Sequence, residues 1–399
     1  MVNVIGLGYI GLPTALMLAS HGVQVIGTDY NSQVVARLNR GEITFQEDGL
    51  SDLFQSAVKS GIRFCSEYQA TDVYIVSVPT PYDESTKQVD PCYVVSAVEK
   101  VLTVCPDDAI VIIESTVSPG TIDRYIRPLI AGKRIHLCHA PERIIPGNMI
   151  YELKHNSRTI GADDPQTAEK VKELYASFCL GDIVLTDIRT AEMTKVIENT
   201  YRAVNIAFAN ELLMLCRKEG MDIHEIIRIC NMHPRVKILS PGPGVGGHCI
   251  PVDPWFLVGD FPQDTPLIHR ALEINAQMPD YVFARIQKLM EDRGIDSFDR
   301  VGLYGLTYKE DVDDLRESPT LQLLRIFTQK GISVRVYDPM VKEDTIPGQC
   351  ATAEQFLNGL DLVVVMVGHS ALKELAPQLQ DKLIFDTRRV LRGDHVVYL

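Results

Sequence analysis

The sequence has no paired-cysteine pattern. Its nine cysteines are scattered over 399 residues, with no CxxC and no Cys/His spacing suited to a metal. That excludes a disulfide framework and a zinc module, and it points to reduced thiols. No apolar run reaches the roughly 18–20 residues that span a bilayer, so no membrane segment is expected. A leader with a charged start is missing too, since strand-like residues begin at Val2. No signal peptide is therefore expected, and the expected compartment is cytoplasmic. Positive charge is scarce: 39 Lys and Arg stand against 52 Asp and Glu, for a net charge of -13. This argues against non-specific nucleic-acid binding, yet local Arg and Lys can still form a basic pocket for an anionic substrate. Low-complexity stretches and short tandem repeats are absent.

What is present fits a globular α/β protein. Apolar residues make up 46% and charged residues 23%, and the length allows two or three domains. Short apolar runs at 2–5, 24–28, 72–78, 109–114 and 134–138 read as buried strands, with helical stretches such as 12–21 between several of them. That alternation predicts a doubly wound parallel sheet. Residues 190–219 differ: they hold no Pro or Gly, and Met193, Val196, Ile197, Val204, Phe208 and Leu215 recur near helical spacing. One long helix is expected there, as a spine between domains or a dimer surface. A second helix is expected over 267–293. Strands then resume at 300–306, 333–337, 362–367 and 382–386, with a helix at 319–330. The fold class is thus two Rossmann-like doubly wound parallel-sheet domains joined by a long central helix. The expected boundaries are 1–189, 190–296 and 297–399.

Several stretches carry chemistry. Gly6-Leu-Gly8-Tyr9-Ile10-Gly11 follows a strand and opens a helix. Gly6 permits the tight turn, Gly8 the approach of a pyrophosphate, and Gly11 close packing of helix on strand. Asp29 ends the second strand, where a carboxylate accepts hydrogen bonds from a ribose diol and repels a 2′-phosphate, favouring NAD over NADP. The segment 242–254 reads GPGVGGHCIPVDP. Cys249 sits there among glycines and prolines with Asp253 four residues on, and it reads as a nucleophile rather than a core thiol. On the long helix Lys195 and Asn199 share a face, with Arg202 and Asn205 only roughly in line. They read either as a solvated face or as an oxyanion-stabilising pair.

Ala140-Pro-Glu142-Arg143 follows a strand end. Glu142 there could position water or assist proton transfer, or simply pair with a neighbouring Arg. Ser115-Thr116-Val-Ser-Pro-Gly120 reads as a ligand-facing or a capping segment, and Val78-Pro-Thr80-Pro81 as a turn lining the cofactor cleft. In the last domain, 305–319 reads GLTYKEDVDDLRESP, with Ser318 capping a helix that Pro319 opens. Lys309, Arg316 and Arg388 there are cations suited to a nucleotide-linked substrate.

These stretches, in this order, resemble the UDP-glucose/GDP-mannose dehydrogenase family over nearly the whole chain. The signals are GLGYIGLP, VPTP, ESTV, APER, AEMTKVIENTYRAVNIAFANEL, the Cys249 loop and GLTYKEDVDDLRESP. The resemblance implies a two-step, four-electron oxidation of a sugar C6 hydroxyl to a carboxylate with two NAD and no metal. It implies Cys249 as covalent nucleophile, Lys195 and Asn199 on the oxyanion, and Asp253 and Thr116 orienting water and reacting groups. Glu142, beside Arg143, would assist the chemistry or hold substrate, and Gly246 belongs to the substrate loop. Lys309 and Arg388 would hold the UDP part, and Arg316 the NAD phosphates, alongside Tyr9, Ile10 and Thr80 at the cofactor. It further implies a homodimer in which Arg235 reaches the neighbouring site.

Departures from the UDP-glucose pattern are Val252 in place of Lys, His248 before the cysteine, and Pro146 in place of a second acid. They resemble the branch that takes a UDP-N-acetylhexosamine. Ile145, the HPRV segment and VDPWF favour the mannosamine epimer, with glucosamine as the alternative. A non-catalytic NAD-binding sensor and a two-electron 3-hydroxyacid dehydrogenase are readings of other kinds.

Overall fold

A computed structural model describes residues 1–83, 86–342 and 346–399. The chain forms two compact units, one of residues 1–198 and 255–262, the other of 199–254 and 263–399.

The first unit is built on eight strands: β1 (Val2–Ile5), β2 (Val25–Thr28), β3 (Arg63–Cys65), β4 (Val73–Val76), β5 (Ala109–Ile113), β6 (Ile135–His139), β7 (Arg158–Ala162) and β8 (Ile183–Thr186). Their order is β3-β2-β1-β4-β5-β6-β7-β8, with Val2 level with both Val25 and Val73. Alternate strand residues feed two cores. Val4, Ile75, Ile112 and Cys138 lie in one, and Ile5, Val76, Val111, Ile113 and Leu137 in the other. This is the pattern of a sheet covered on both faces. The strand order reverses between β1 and β4, and ligands of such sheets bind outside the carboxyl ends of strands at that point.

Two features of this unit depart from the sequence expectation. Strands β3, β7 and β8 lie outside the expected runs; β3 is short and β7 carries polar residues, as in RFC and RTIGA. And β7 runs antiparallel to β6, so the sheet is not wholly parallel. The connection between them carries one seven-residue helix, Met149–His155.

The helix Ile188–Lys218 is 31 residues long, about 46 Å. Asp187 starts it by accepting the Thr190 N–H at 2.9 Å, and Arg217 and Lys218 complement the dipole of its last turn.

The second unit carries a wholly parallel sheet of β9 (Val301–Tyr304), β10 (Arg335–Tyr337), β11 (Leu362–Val365), β12 (Leu383–Asp386) and β13 (Val396–Tyr398), ordered β10-β9-β11-β12-β13. Strand β13, half-buried, falls outside the expected set. The single helix expected over 267–293 is two, Pro266–Ala276 and Met278–Arg293. Pro279 lies in the first turn of the second, where a missing N–H costs nothing. Phe283, Leu303, Phe327, Val364 and Phe385 lie in the core beneath.

Candidate functional site

In the first unit β1 delivers the chain into Gly6, whose φ is +89°. A Cβ on Gly6 would stand 2.3 Å from the Ser77 carbonyl oxygen, and one on Gly11 2.0 Å from the Gly6 oxygen, so both positions require glycine. Gly8 is different: a Cβ there meets nothing within 4 Å. Its exposed backbone stands before the helix Gly11–Ser20, whose N-cap, Ile10, offers no side-chain acceptor. An anion suits that end. Asp29 follows β2 and is half-buried; its Oδ2 accepts the Leu7 N–H at 2.8 Å and its Oδ1 the Asn31 N–H at 2.8 Å. Each carboxylate oxygen keeps a further lone pair for a ribose hydroxyl. These residues fit NAD: glycine backbone for the pyrophosphate and a carboxylate for the diol. Tyr9 is exposed, its ring 4.4 Å from that of Phe45. Thr80 is buried and Thr116 half-buried. The Ser115 hydroxyl accepts from Val78 N–H at 2.9 Å and donates to the Val78 carbonyl at 2.7 Å, which binds the 78–81 turn to the loop after β5.

Glu142 is buried and both of its oxygens are engaged. One accepts the Arg143 N–H at 2.7 Å, and the other is ion-paired with Arg158 of β7. Arg158 is itself buried, lies 3.8 Å from Glu114, and stacks 4.3 Å from the Tyr175 ring centre. Burial pushes the Glu114 carboxyl up to about 7, against the pull of Arg158. Arg143 pairs with Glu198 at 2.9 Å and with Thr159 at 2.8 Å. Lys195 is buried on the long helix, three residues after Glu192, which accepts the Gly120 and Ile122 N–H groups at 2.6 and 2.9 Å.

The second unit holds the cysteine loop. Cys249 is exposed, and its carbonyl accepts the Val252 and Asp253 N–H groups at 3.1 and 2.8 Å, so the chain turns tightly into the helix Asp253–Asp260. Asn199 donates to Asp253 Oδ2 at 2.6 Å, and both are buried. The structure thus brings Asn199, Asp253 and the Cys249 turn together. By contrast Cys138, in the core of the first unit, has its thiol pushed up by burial. His248 is exposed but Val252 is buried, so Val252 presents no surface to a ligand.

The loop's glycines seat it on the 305–319 segment. A Cβ on Gly246 would lie 2.6 Å from Tyr308 Cβ, and one on Gly247, at φ +90°, 3.0 Å from the Tyr308 ring. Gly247 N–H donates to the Arg316 carbonyl at 2.9 Å. Burial raises the Tyr308 hydroxyl pKa, with Asp314 and Cys249 adding to the effect. Arg388 is exposed, lies 4.0 Å from Glu310, and stands 3.0 Å from the place a Cβ of Gly242 would take. Lys309 is half-buried, and Arg316 forks onto Asp314 at 2.7–3.1 Å. Arg235 is exposed on a loop tied down by Asn231 to Ile238 and by Asn205 to Lys237 and Leu239. Ser318 caps the helix Pro319–Gln329 through Thr320 N–H, as its position implies.

Sequence reasoning missed several supports. Asn210 accepts the Gly242 N–H at 2.9 Å and donates to Asn275, which donates to the Ala203 carbonyl, so a buried amide pair anchors the start of the loop. An Asn inside the apolar run AFANEL was the available signal, since such a group is buried only with partners. Arg158 and Glu114 gave none beyond being charges in strand-like surroundings. Among the described residues no cluster of three His, Cys, Asp or Glu is placed to hold a metal, and no helix is long and apolar enough to cross a membrane.

Three family models match the chain. They describe the NAD binding domain of the UDP-glucose/GDP-mannose dehydrogenase family over residues 1–179, its central domain over 189–277 and its UDP binding domain over 302–393. A UDP-N-acetyl-D-mannosamine dehydrogenase of Methanococcus maripaludis is 40% identical over 402 residues, covering 98% of this chain and 93% of that protein. Among solved structures, a UDP-N-acetyl-mannosamine dehydrogenase from S. aureus is 38% identical with a TM-score of 0.89, covering 100% of this chain and 97% of the other. A UDP-D-ManNAc dehydrogenase from Pyrococcus horikoshii is 35% identical with a TM-score of 0.92, covering 100% and 98%.

Proposed function

This chain belongs to the UDP-glucose/GDP-mannose dehydrogenase family and uses NAD, and from that premise we propose that it oxidises UDP-N-acetyl-D-mannosamine at C6 to the uronate, as a precursor for surface polysaccharide. The observation that carries the chemistry is the exposed Cys249 on a turn closed against Asp253, itself held by Asn199. The mannosamine substrate rests on the names of the relatives and on the HPRV and VDPWF segments. We assign three functional segments: 1–189 for NAD, 190–296 for the long helix and cysteine loop, and 297–399 for the UDP part.

NAD, held by Gly6, Gly8, Gly11 and Asp29, would supply the hydride acceptor for two successive oxidations at C6. In the first, the hydroxyl gives up its proton to solvent as the hydride leaves C6, and an aldehyde is formed. The Cys249 thiolate adds to its carbon, a C–S bond forms, and the carbonyl electron pair moves to oxygen. Lys195 and Asn199 stabilise that oxygen in the thiohemiacetal. Loss of the second hydride leaves a thioester. Water, oriented by Asp253 and Thr116, adds to it, the C–S bond breaks, and Cys249 departs as the carboxylate forms. Glu142, with both oxygens engaged, acts by holding substrate together with Arg143. Gly6, Gly8, Tyr9, Ile10, Gly11, Asp29, Thr80 and Arg316 serve the cofactor; Gly246, Lys309 and Arg388 serve the UDP-sugar.

Tyr201, Phe208 and Leu215 lie seven residues apart on one face of the long helix, 62%, 50% and 51% exposed. A second copy of the chain is the occupant we assign to this apolar stripe, with Arg235 donated across the dimer. Light scattering tests it: Phe208→Glu shifts the mass from dimer to monomer. The substrate assignment is tested by following NADH with the two epimers side by side. Faster turnover of the mannosamine sugar is expected, and equal or faster use of the glucosamine sugar overturns it.

A further inference from the structure

The turn after β9 is held by a closed set of buried groups. The Asp338 carboxylate, at the end of β10, accepts the Leu306 and Thr307 N–H groups through Oδ2 at 2.5 and 3.1 Å and the Met340 N–H through Oδ1 at 2.7 Å. The same Oδ2 lies 3.1 Å from Nε2 of His369, whose side chain has no solvent exposure. Asp311 N–H donates to His369 Nδ1 at 3.0 Å, so Nδ1 is the acceptor and the ring proton lies on Nε2, facing Asp338. The Thr307 hydroxyl lies 3.3 Å from that Nε2 and donates to the Lys309 carbonyl at 2.8 Å. His369 therefore ties both ends of the 306–311 segment. Between those ends stand Lys309 and Tyr308, and Tyr308 is the surface on which Gly246 and Gly247 seat the cysteine loop.

We infer that His369, acting with Asp338 and Thr307, is a positioning residue for the UDP-sugar: it fixes the 306–311 segment so that Lys309 meets the UDP phosphates and Tyr308 supports the Cys249 loop. His369 itself touches neither ligand. The inference rests on the reading of this segment as the UDP site, and it adds the device that shapes that site.

The test uses the full-length protein, with UDP and NAD binding measured separately by calorimetry. His369→Phe keeps the bulk and removes its polar contacts to Asp338, Thr307 and the Asp311 N–H. Its UDP dissociation constant is expected to rise about tenfold, the scale of one lost hydrogen bond, while that for NAD stays within about twofold. Thr307→Val, nearly isosteric, shifts UDP affinity the same way by a smaller factor, and it decides the matter if the phenylalanine variant does not fold. A merely structural role would lower thermal stability and leave the UDP affinity of the folded protein unchanged, and that result overturns the inference. Lys309→Ala separates the two levels. If it weakens UDP binding and the folded His369 and Thr307 variants do not, the inference alone fails. If Lys309→Ala also leaves UDP binding unchanged, the reading of the segment as the UDP site fails and the inference with it.

Discussion

Strands β1 and β9 both end on a left-handed glycine, Gly6 at φ +89° and Gly305 at φ +94°. Each glycine N–H donates at 2.8 Å to the last residue of the next strand, Thr28 or Tyr337. Each following N–H is taken by the aspartate beyond that strand, Leu7 by Asp29 and Leu306 by Asp338. From there the two turns diverge. In the first, Gly8 stands in open space and Asp29 is half-buried, so backbone and carboxylate can both meet a dinucleotide. In the second, Thr307 stands where the first turn has Gly8, while Tyr308 takes the place of Tyr9. His369 covers Asp338, whose carboxyl stays below its usual range because that bond and the backbone donors outweigh burial. One turn geometry thus gives a cofactor site when small residues leave it open. It becomes a scaffold for the Cys249 loop when side chains fill it.

The contrast breaks first at the thiol. Cys249→Ala should lower acid formation by about a thousandfold or more while NAD and UDP binding persist. Product analysis and calorimetry check it, and surviving turnover to the acid would place the chemistry elsewhere. The two aspartates come next. Asp338→Ala leaves several buried donors without an acceptor and should cost about 2–4 kcal/mol of stability, with NAD affinity unchanged in the folded protein. Asp29→Ala should leave stability nearly intact and weaken NAD binding by about ten- to a hundredfold. If the two variants exchange these effects, the comparison is wrong.

Glycine substitutions sharpen the first turn. Gly11→Ala pushes a methyl into the Gly6 carbonyl and should cost on the order of 2–4 kcal/mol. Gly8→Ala should change stability by no more than about 0.5 kcal/mol and still weaken NAD binding about tenfold, by blocking close approach. Denaturant midpoints and NAD titration separate the two.

A further expected effect is a dependence on pH. Glu114 rises from 4.5 to about 7 in the folded protein, chiefly through burial. A raised carboxyl contributes stability that is fully present below its unfolded value and is lost as pH rises through about 7. In the second unit Asp222, bonded to Arg389, is lowered from 3.8 to about 2. Its contribution is present above about 3.8 and is lost only as pH falls through about 2. Between pH 5 and 8, then, Glu114 contributes a change and Asp222 does not. The Tm of Glu114→Gln relative to the parent should increase across that range, and a flat difference would remove Glu114 from the account.

Much of this was legible in the sequence because single residues dictate it. Glycines of the first turn, Asp29 at a strand end, Ser318 before Pro319, and a Gly- and Pro-free run for the long helix each have a local physical cause. The cysteine loop was legible as a loop, though not the reason for its glycines: Gly246 and Gly247 are set by Tyr308, some sixty residues away. The antiparallel β7 was hidden because RTIGA is polar at its start, and its Arg158 makes sense only against Glu142 and Glu114. The break at Gln277 was readable from Pro279 but was masked by the helical period on both sides. The likeness of Asp338 to Asp29 needs the register of two sheets to be seen.

The most direct test of the central claim is to count NADH against sugar consumed, with UDP-N-acetyl-D-mannosamine limiting. A thiol that captures the aldehyde and passes it through a second oxidation predicts two NADH and one uronate per sugar, with no free aldehyde. One NADH per sugar, with aldehyde released, would contradict it.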